Sequence, residues 1–313
     1  MVKQQGPDQM VQPAKAMIDK VVLLIIDGLD VVNFTLGNTP TMSGLHGRTA
    51  VGVAHTEILG AGTTITPIAH AMMGTGQNVI AHRPGKETKG RPYSYLGEPA
   101  TTIGDVACQA GIPVAAVGKN EAAIVVGGLD RLDISRLEMD GIDANDDQAI
   151  AQETIATLEA CGPRGLVVAT YNGVDRAGHK RDVRRVIEVV EKTDRMVERI
   201  LEATDPAKSL LIIASDHGTN PLTGRHNNVP TPLVLINERI VGRVDLGVVH
   251  NLEIAITIAS AFGLSLPEAF GRDLFKLAIE GLRWDSGDYR DTLERQLKEF
   301  NARQTKRPQL RDS

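Results

Sequence analysis

The sequence predicts an α/β protein, a three-layer αβα sandwich around a mostly parallel central sheet. Short runs of Val, Ile, Leu and Ala lack polar alternation, as strands buried on both faces do. Segments of helical periodicity lie between those runs, which is the pattern of a layered α/β domain. Aromatic residues make up only 3% of the 313 residues, so the core must be aliphatic.

Taken in order, VVLLII (21–26) reads as the first strand and runs into Asp27. A short helix is expected over 67–74, with Pro67 at its first position and Thr66 as its N-cap. HRPGKETKGRPYSYLGEP (82–99) has no core pattern and reads as a mobile surface loop, followed by a helix from near Thr101. PVAAVG (113–118) and AIVVGG (123–128) read as strands, and 147–160 as a helix. LVVAT (166–170) is the next strand. The clearest helix covers 182–203, where Val183, Val186, Ile187, Val190, Val197, Ile200 and Leu201 recur at three-to-four spacing. LLIIAS (210–215) and PLVLI (232–236) are strands, and 251–262 is a helix with Asn251 as its cap. The polar stretch 1–20 reads as a disordered arm, 21–285 as a single domain and 286–313 as a C-terminal helix and tail.

A net charge of −5 gives no basic footprint for nucleic acid. The N-terminus lacks the apolar core of a signal peptide, and its longest apolar run is far short of a membrane span. Cys108 and Cys161 have no CxxC partner and read as structural thiols of a reducing compartment. The expectation is a cytoplasmic protein with neither nucleic-acid nor membrane partners.

Ligands of parallel sheets lie at the carboxyl ends of strands, and Asp27, Asp175 and Asp216 all fall at or just beyond such ends. Each has an ordinary alternative: an Asp before Gly is often a turn residue. Asp175 and His179, four apart, share one face of a helix. Adjacent Asp216 and His217 follow a buried strand directly, where two ionisable groups need compensation. His226 lies nine residues further on. Three carboxylates with three imidazoles suit Zn, Mn or Fe rather than Ca alone. Thr63, Thr64 and Thr66 are candidate nucleophiles. A hydroxyl at a helix N-terminus has N–H groups beside it to cradle a phosphate, and a nearby cation would activate it.

These segments resemble the alkaline phosphatase superfamily, and most of all its phosphopentomutase and cofactor-independent phosphoglycerate mutase branch. Thr66 precedes the glycine-ended turn at Gly76 by ten residues, like the superfamily nucleophile, and His70 lies four residues after it, as in the two mutases. That selects Thr66 over Thr63 and Thr64. YNGVDRAGHKRD (171–182), IIASDHGTNP, GRHNNVPTPLV, VAAVGKN (114–120) and the C-terminal stretch 251–274 resemble successive phosphopentomutase segments. The resemblance implies an alkaline phosphatase-like core with two divalent metal ions, Mn or Zn. Asp175, His179 and His226 would hold one. Asp27, Asp216, His217 and the Thr66 hydroxyl would hold the other. It also implies a small-molecule phosphate ester as substrate, contacted by His70, Lys119 and Asn172; Arg83, with Lys86, Lys89 and Arg91 in the basic loop, is a further candidate for gripping an anion.

The sequence departs from the mutases in one informative way. They insert a whole cap domain after the nucleophile helix, whereas here 77–100 is a short loop. Without a cap, water reaches a phospho-threonine, so the expected net reaction is hydrolysis. A mutase with a lid from that loop or from a partner subunit is the second expectation, and a metal-binding protein without catalysis the third.

Overall fold

A computed structural model describes residues 17–44, 47–56, 65–85, 88–94 and 97–281. The expected arm (all but 17–20), the C-terminal tail, Thr63, Thr64 and Lys86 lie outside the described residues. In chain order the strands are β1 (Lys20–Ile26), β2 (Thr49–His55), β3 (Ile80–Ala81), β4 (Pro92–Tyr93), β5 (Val114–Gly118), β6 (Ile134–Leu137), β7 (Gly165–Tyr171), β8 (Ser209–Ala214), β9 (Gly218–Asn220), β10 (Arg225–Asn227), β11 (Thr231–Ile236) and β12 (Arg243–His250). The α-helices are α1 (Val31–Leu36), α2 (Thr66–Thr75), α3 (Ile103–Gln109), α4 (Ala122–Val125), α5 (Asp147–Ala160), α6 (Gly173–His179), α7 (Val183–Glu202), α8 (Glu253–Ala261) and α9 (Leu274–Glu280).

Eight strands form one sheet in the order β12-β2-β11-β8-β1-β7-β5-β6. Every neighbouring pair is parallel except those made by β11, which runs antiparallel to both β2 and β8. The period of two along β1 divides its side chains between two cores. Val21, Leu23 and Ile25 join the core under α3, α4 and α8, while Val22, Leu24 and Ile26 join the one under α5 and α7. Both faces are therefore apolar, which is why the strand reads as an unbroken run. The result is the αβα sandwich that the sequence predicts.

Local chemistry sets the helix ends. Asp146 caps α5 by accepting from the amides of Gln148 and Ala149, and Asp182 caps α7 through the amide of Arg185. Thr102 and Asp105 close a reciprocal capping box on α3.

Several expectations are corrected. AIVVGG is not a strand: its first residues form α4, whose four side chains are all fully buried. A short apolar run buried on all sides has no period to separate helix from strand. Thr66 is not the N-cap of α2. Extended Ile65 holds that place without a side-chain bond, and Thr66 is the first helical residue. Asn251 is not the cap of α8, because its Nδ2 donates to the Ser215 carbonyl instead. The 77–100 segment is more than a loop. It pairs β3 with β4 and seats Val79 and Ala100 in a small core with Ala71 and Ile124. No helix among the described residues is long and apolar enough to cross a membrane.

Candidate metal centre

Backbone bonds at the carboxyl ends of the central strands bring the site together. Asp27, one residue past β1, donates its amide to Tyr171 O at the end of β7 (2.9 Å), and its carbonyl accepts from the Asp175 amide (3.1 Å). The Thr219 amide donates to Gly28 O (2.9 Å). Gly28 has φ +78°, and a Cβ there would lie 2.8 Å from Thr219 Oγ1 and 2.9 Å from the Asp175 backbone. Glycine therefore lets α6 and β9 close onto the end of β1.

Two triads result. In the first, His217 Nε2 lies 3.4 Å from Asp27 Oδ1 and 3.3 Å from Asp216 Oδ2. The Thr66 hydroxyl reaches the same nitrogen at 3.3 Å. In the second, His179 Nε2 lies 3.3 Å from Asp175 Oδ2, and His226 Nε2 lies 3.6 Å from Asp175 Oδ1 and 3.2 Å from His179 Nε2. Within each triad the donor atoms all lie within 4.8 Å of one another. The rings of His217 and His226 stack at 3.7 Å between centroids, so the triads are neighbours.

The first triad is wholly buried, and the second opens toward solvent at His179. Burial and the charge of Asp216 push the Asp27 carboxyl well above the usual carboxylate range. Burial acts on Asp216 too, but His217, His70 and Lys119 outweigh it and hold that carboxyl below its ordinary value. Burial also opposes charge on Asp175, yet bonds from His226 and Thr219 bring its carboxyl down to about 2. Burial lowers His217, whereas the bond to Asp175 raises His226.

The donor set fits divalent cations. Asp27 Oδ1 and Asp216 Oδ2 are buried acceptors with no hydrogen-bond partner, and the His217 Nδ1 atom is also buried without one. An unpartnered buried carboxylate oxygen is costly, and a bound cation removes that cost. His179 Nδ1 donates to Gly224 O at 2.9 Å, which leaves its Nε2 lone pair directed at Asp175 and His226.

The expected substrate contacts are placed unequally. Lys119 Nζ lies 2.5 Å from Asp27 Oδ2, and that carboxylate raises its pKa against the opposing effect of burial. His70 is buried one turn beyond Thr66, with Nδ1 on Glu121 O at 2.9 Å and Nε2 without a partner. Arg83 pairs with Glu121 (2.9 Å), tying the 77–100 segment to the residues that follow β5. Asn172 is not brought to the triads, because its carboxamide donates to Asn145. The expected amide cradle at the start of α2 is also reduced. Pro67 has no N–H, and the amides of Ile68 and Ala69 both bond Ile65 O at 3.0 Å.

Two residues of the site escaped the sequence reading. Thr219 donates to Asp175 Oδ1 at 2.5 Å, and Ser215 donates to His217 O while accepting from the Leu29 amide. Both flank the Asp216–His217 pair, and a hydroxyl beside a candidate ligand is the only signal that points to them.

A family model described as the metalloenzyme superfamily matches residues 104–266, just over half of the chain. The 2,3-bisphosphoglycerate-independent phosphoglycerate mutase of Salmonella typhi is 29% identical over 136 residues, covering 40% of this chain and 26% of the relative. The enzyme of the same name from Methanopyrus kandleri is 33% identical over 104 residues, 30% of this chain and 25% of the relative. The matches thus span about a quarter of the curated relatives' length. Among solved structures, Thermus thermophilus alkaline phosphatase superimposes with a TM-score of 0.62 at 12% identity, covering 85% of this chain and 96% of that one. That likeness is one of fold. With a family model spanning more than half its length and an alkaline phosphatase-like sandwich beneath its acidic and imidazole triads, the chain belongs to the metalloenzyme superfamily.

Proposed function

We propose that the protein is a metal-dependent phosphohydrolase acting on a small phosphate mono- or diester through a phospho-threonine intermediate at Thr66. The observation that carries the reading is the Thr66 hydroxyl beside the first triad, 3.3 Å from His217 Nε2, with the second triad adjoining it through the stacked rings of His217 and His226. When bound at the triads, two divalent cations, Mn or Zn, supply positive charge that polarises the phosphoryl group and lowers the pKa of the Thr66 hydroxyl.

The chain's own groups do the rest. Thr66 Oγ1 gives up its proton and forms a bond to phosphorus as the ester oxygen departs and takes up a proton. Water then attacks the phosphorus and loses a proton, the Thr66 Oγ1–phosphorus bond breaks, Oγ1 is reprotonated, and the product leaves: inorganic phosphate from a monoester, a phosphate monoester from a diester. Lys119 holds Asp27 in place and brings a cation to the edge of the first triad. The described part of 77–100 is the β3–β4 pair, tied by Arg83 to Glu121, in place of a covering domain. His179 of the second triad is exposed, and access of water there favours hydrolysis over return of phosphate to the product.

The test is a panel of phosphate monoesters and diesters offered to metal-loaded protein, with free phosphate measured and the quenched protein mapped by mass spectrometry. The expected result is release of inorganic phosphate from a monoester, or of a phosphate monoester from a diester, with the corresponding phosphoryl adduct on the peptide containing Thr66, all absent in Thr66→Ala. Isomerised substrate with little free phosphate would replace this reading with a mutase. Turnover that survives Thr66→Ala would remove the covalent intermediate.

A further inference from the structure

Away from the triads, α6, α7 and the start of α5 enclose a groove of about 610 Å³. Six cations line it: Arg176, Lys180, Arg185, Lys192, Arg195 and Arg199. The last four repeat at intervals of seven, three and four, so they form one stripe down α7. From Arg185 to Arg199 that stripe runs about 21 Å. The opposing carboxylates, Asp146 and Asp147, are both engaged by backbone amides: Asp146 caps α5, and Asp147 accepts from Asn172 and Gly173.

Such concentration is unexpected in a chain of net charge −5. Arg185 pairs with Glu188 at 3.0 Å, but among the described residues Lys180, Lys192, Arg195 and Arg199 form no ion pair. Mutual repulsion of unpaired cations costs stability unless an anion is present. A pocket of this volume suits a small molecule. No lining residue is aromatic, so the groove lacks the aromatic faces on which nucleobases ordinarily stack.

We infer that this groove is a second anion site, separate from the metal triads, for a non-aromatic ligand carrying several phosphate groups. It shares α6 with the metal centre, since Asp175 and His179 occupy one face of that helix and Arg176 the adjoining one, with Lys180 as its C-cap. The site does not depend on the phosphohydrolase reading.

Isothermal titration of the chelator-treated full chain with inorganic tripolyphosphate tests it. One ligand per chain is expected. Its affinity should fall at least tenfold when salt is raised from about 0.05 to 0.5 M. A similar loss is expected in Lys192→Glu/Arg195→Glu and in the independent pair Lys180→Gln/Arg199→Gln, all four residues being exposed. Lys119→Ala, which alters only the metal end, should bind within twofold of the parent. No binding in the metal-free protein would overturn the inference. So would unchanged binding in both groove variants, loss of binding in Lys119→Ala, or binding of a DNA oligonucleotide but not of tripolyphosphate.

Discussion

Replacing Asp27 by Asn should stabilise the metal-free protein while weakening its response to metal. The side chain is buried, and its Oδ2 accepts from Lys119 Nζ at 2.5 Å, a bond that an Asn oxygen can keep. Burial and the charge of Asp216 disfavour its ionised form, and Asn removes a negative charge whose ligand oxygen lies within 4.8 Å of that of Asp216. Two unit charges at that distance repel by about 3.5 kcal/mol at an effective dielectric near 20. Lys119 and partial protonation of Asp27 relieve part of this, so a net gain of about 1–3 kcal/mol is expected in the absence of metal. A shift of about 2–4 °C per kcal/mol for a domain of this size converts that to a Tm about 2–12 °C higher than the parent's. Adding metal at about a thousand times its Kd should stabilise the parent by about 4 kcal/mol. In Asp27→Asn that rise should shrink by half or more, because the first triad loses a ligand. Calorimetry of chelated and metal-loaded samples reads both effects. A metal-free variant that melts below the parent, or one with an undiminished metal response, would refute the argument that unpaired buried charge is held in readiness for a cation.

Other perturbations probe the surroundings. Thr219→Val removes the 2.5 Å bond to Asp175 Oδ1 with little change in shape, and metal affinity at the second triad should drop about 10- to 100-fold by direct titration, with the metal-free protein losing about 1–3 kcal/mol of stability. A Cβ at Gly74 would stand 1.9 Å from Val125 O, so Gly74→Ala must push α2 away from α4; a loss of at least about 3 kcal/mol is expected by chemical denaturation. Burial raises the Asp147 carboxyl to about 6 from 3.8. The folded state therefore binds that proton more tightly than the unfolded state, so its contribution is present at low pH and is lost as pH rises from about 4 to 6. Across that window the parent should lose about 1–3 kcal/mol of stability relative to Asp147→Asn, and parallel stability profiles would contradict this.

Most of the sandwich was legible because its central strands are buried on both faces. β1, β7 and β8 read as unbroken aliphatic runs for the same reason that they sit mid-sheet. Strands toward the β12 edge were not. β2 alternates burial and contains Gly52 and His55, and β12 carries an irregularity between Asp245 and Gly247 that breaks its period. The antiparallel course of β11 left no trace in its composition. At the site, the spacing of Asp175 and His179 on α6 and the adjacency of Asp216 and His217 could be read because a local rule links sequence distance to a shared face or strand end. His226 reaches the second triad only through the β9–β10 hairpin, and the stack of its ring on His217 depends on that hairpin's register. Thr66 missed its expected capping position by one residue. The extended backbone of Ile65 serves instead, which leaves the Thr66 hydroxyl facing His217.

The central claim, that two neighbouring triads each hold a cation beside Thr66, is tested most directly by counting and locating metal. Elemental analysis of protein reconstituted with Mn or Zn, combined with anomalous diffraction from its crystals, should find two ions per chain. One should lie among Asp27, Asp216 and His217 and the other among Asp175, His179 and His226, the second vanishing in Asp175→Asn/His226→Ala. Fewer than two ions in the parent, or ions bound away from these six side chains, would contradict the account.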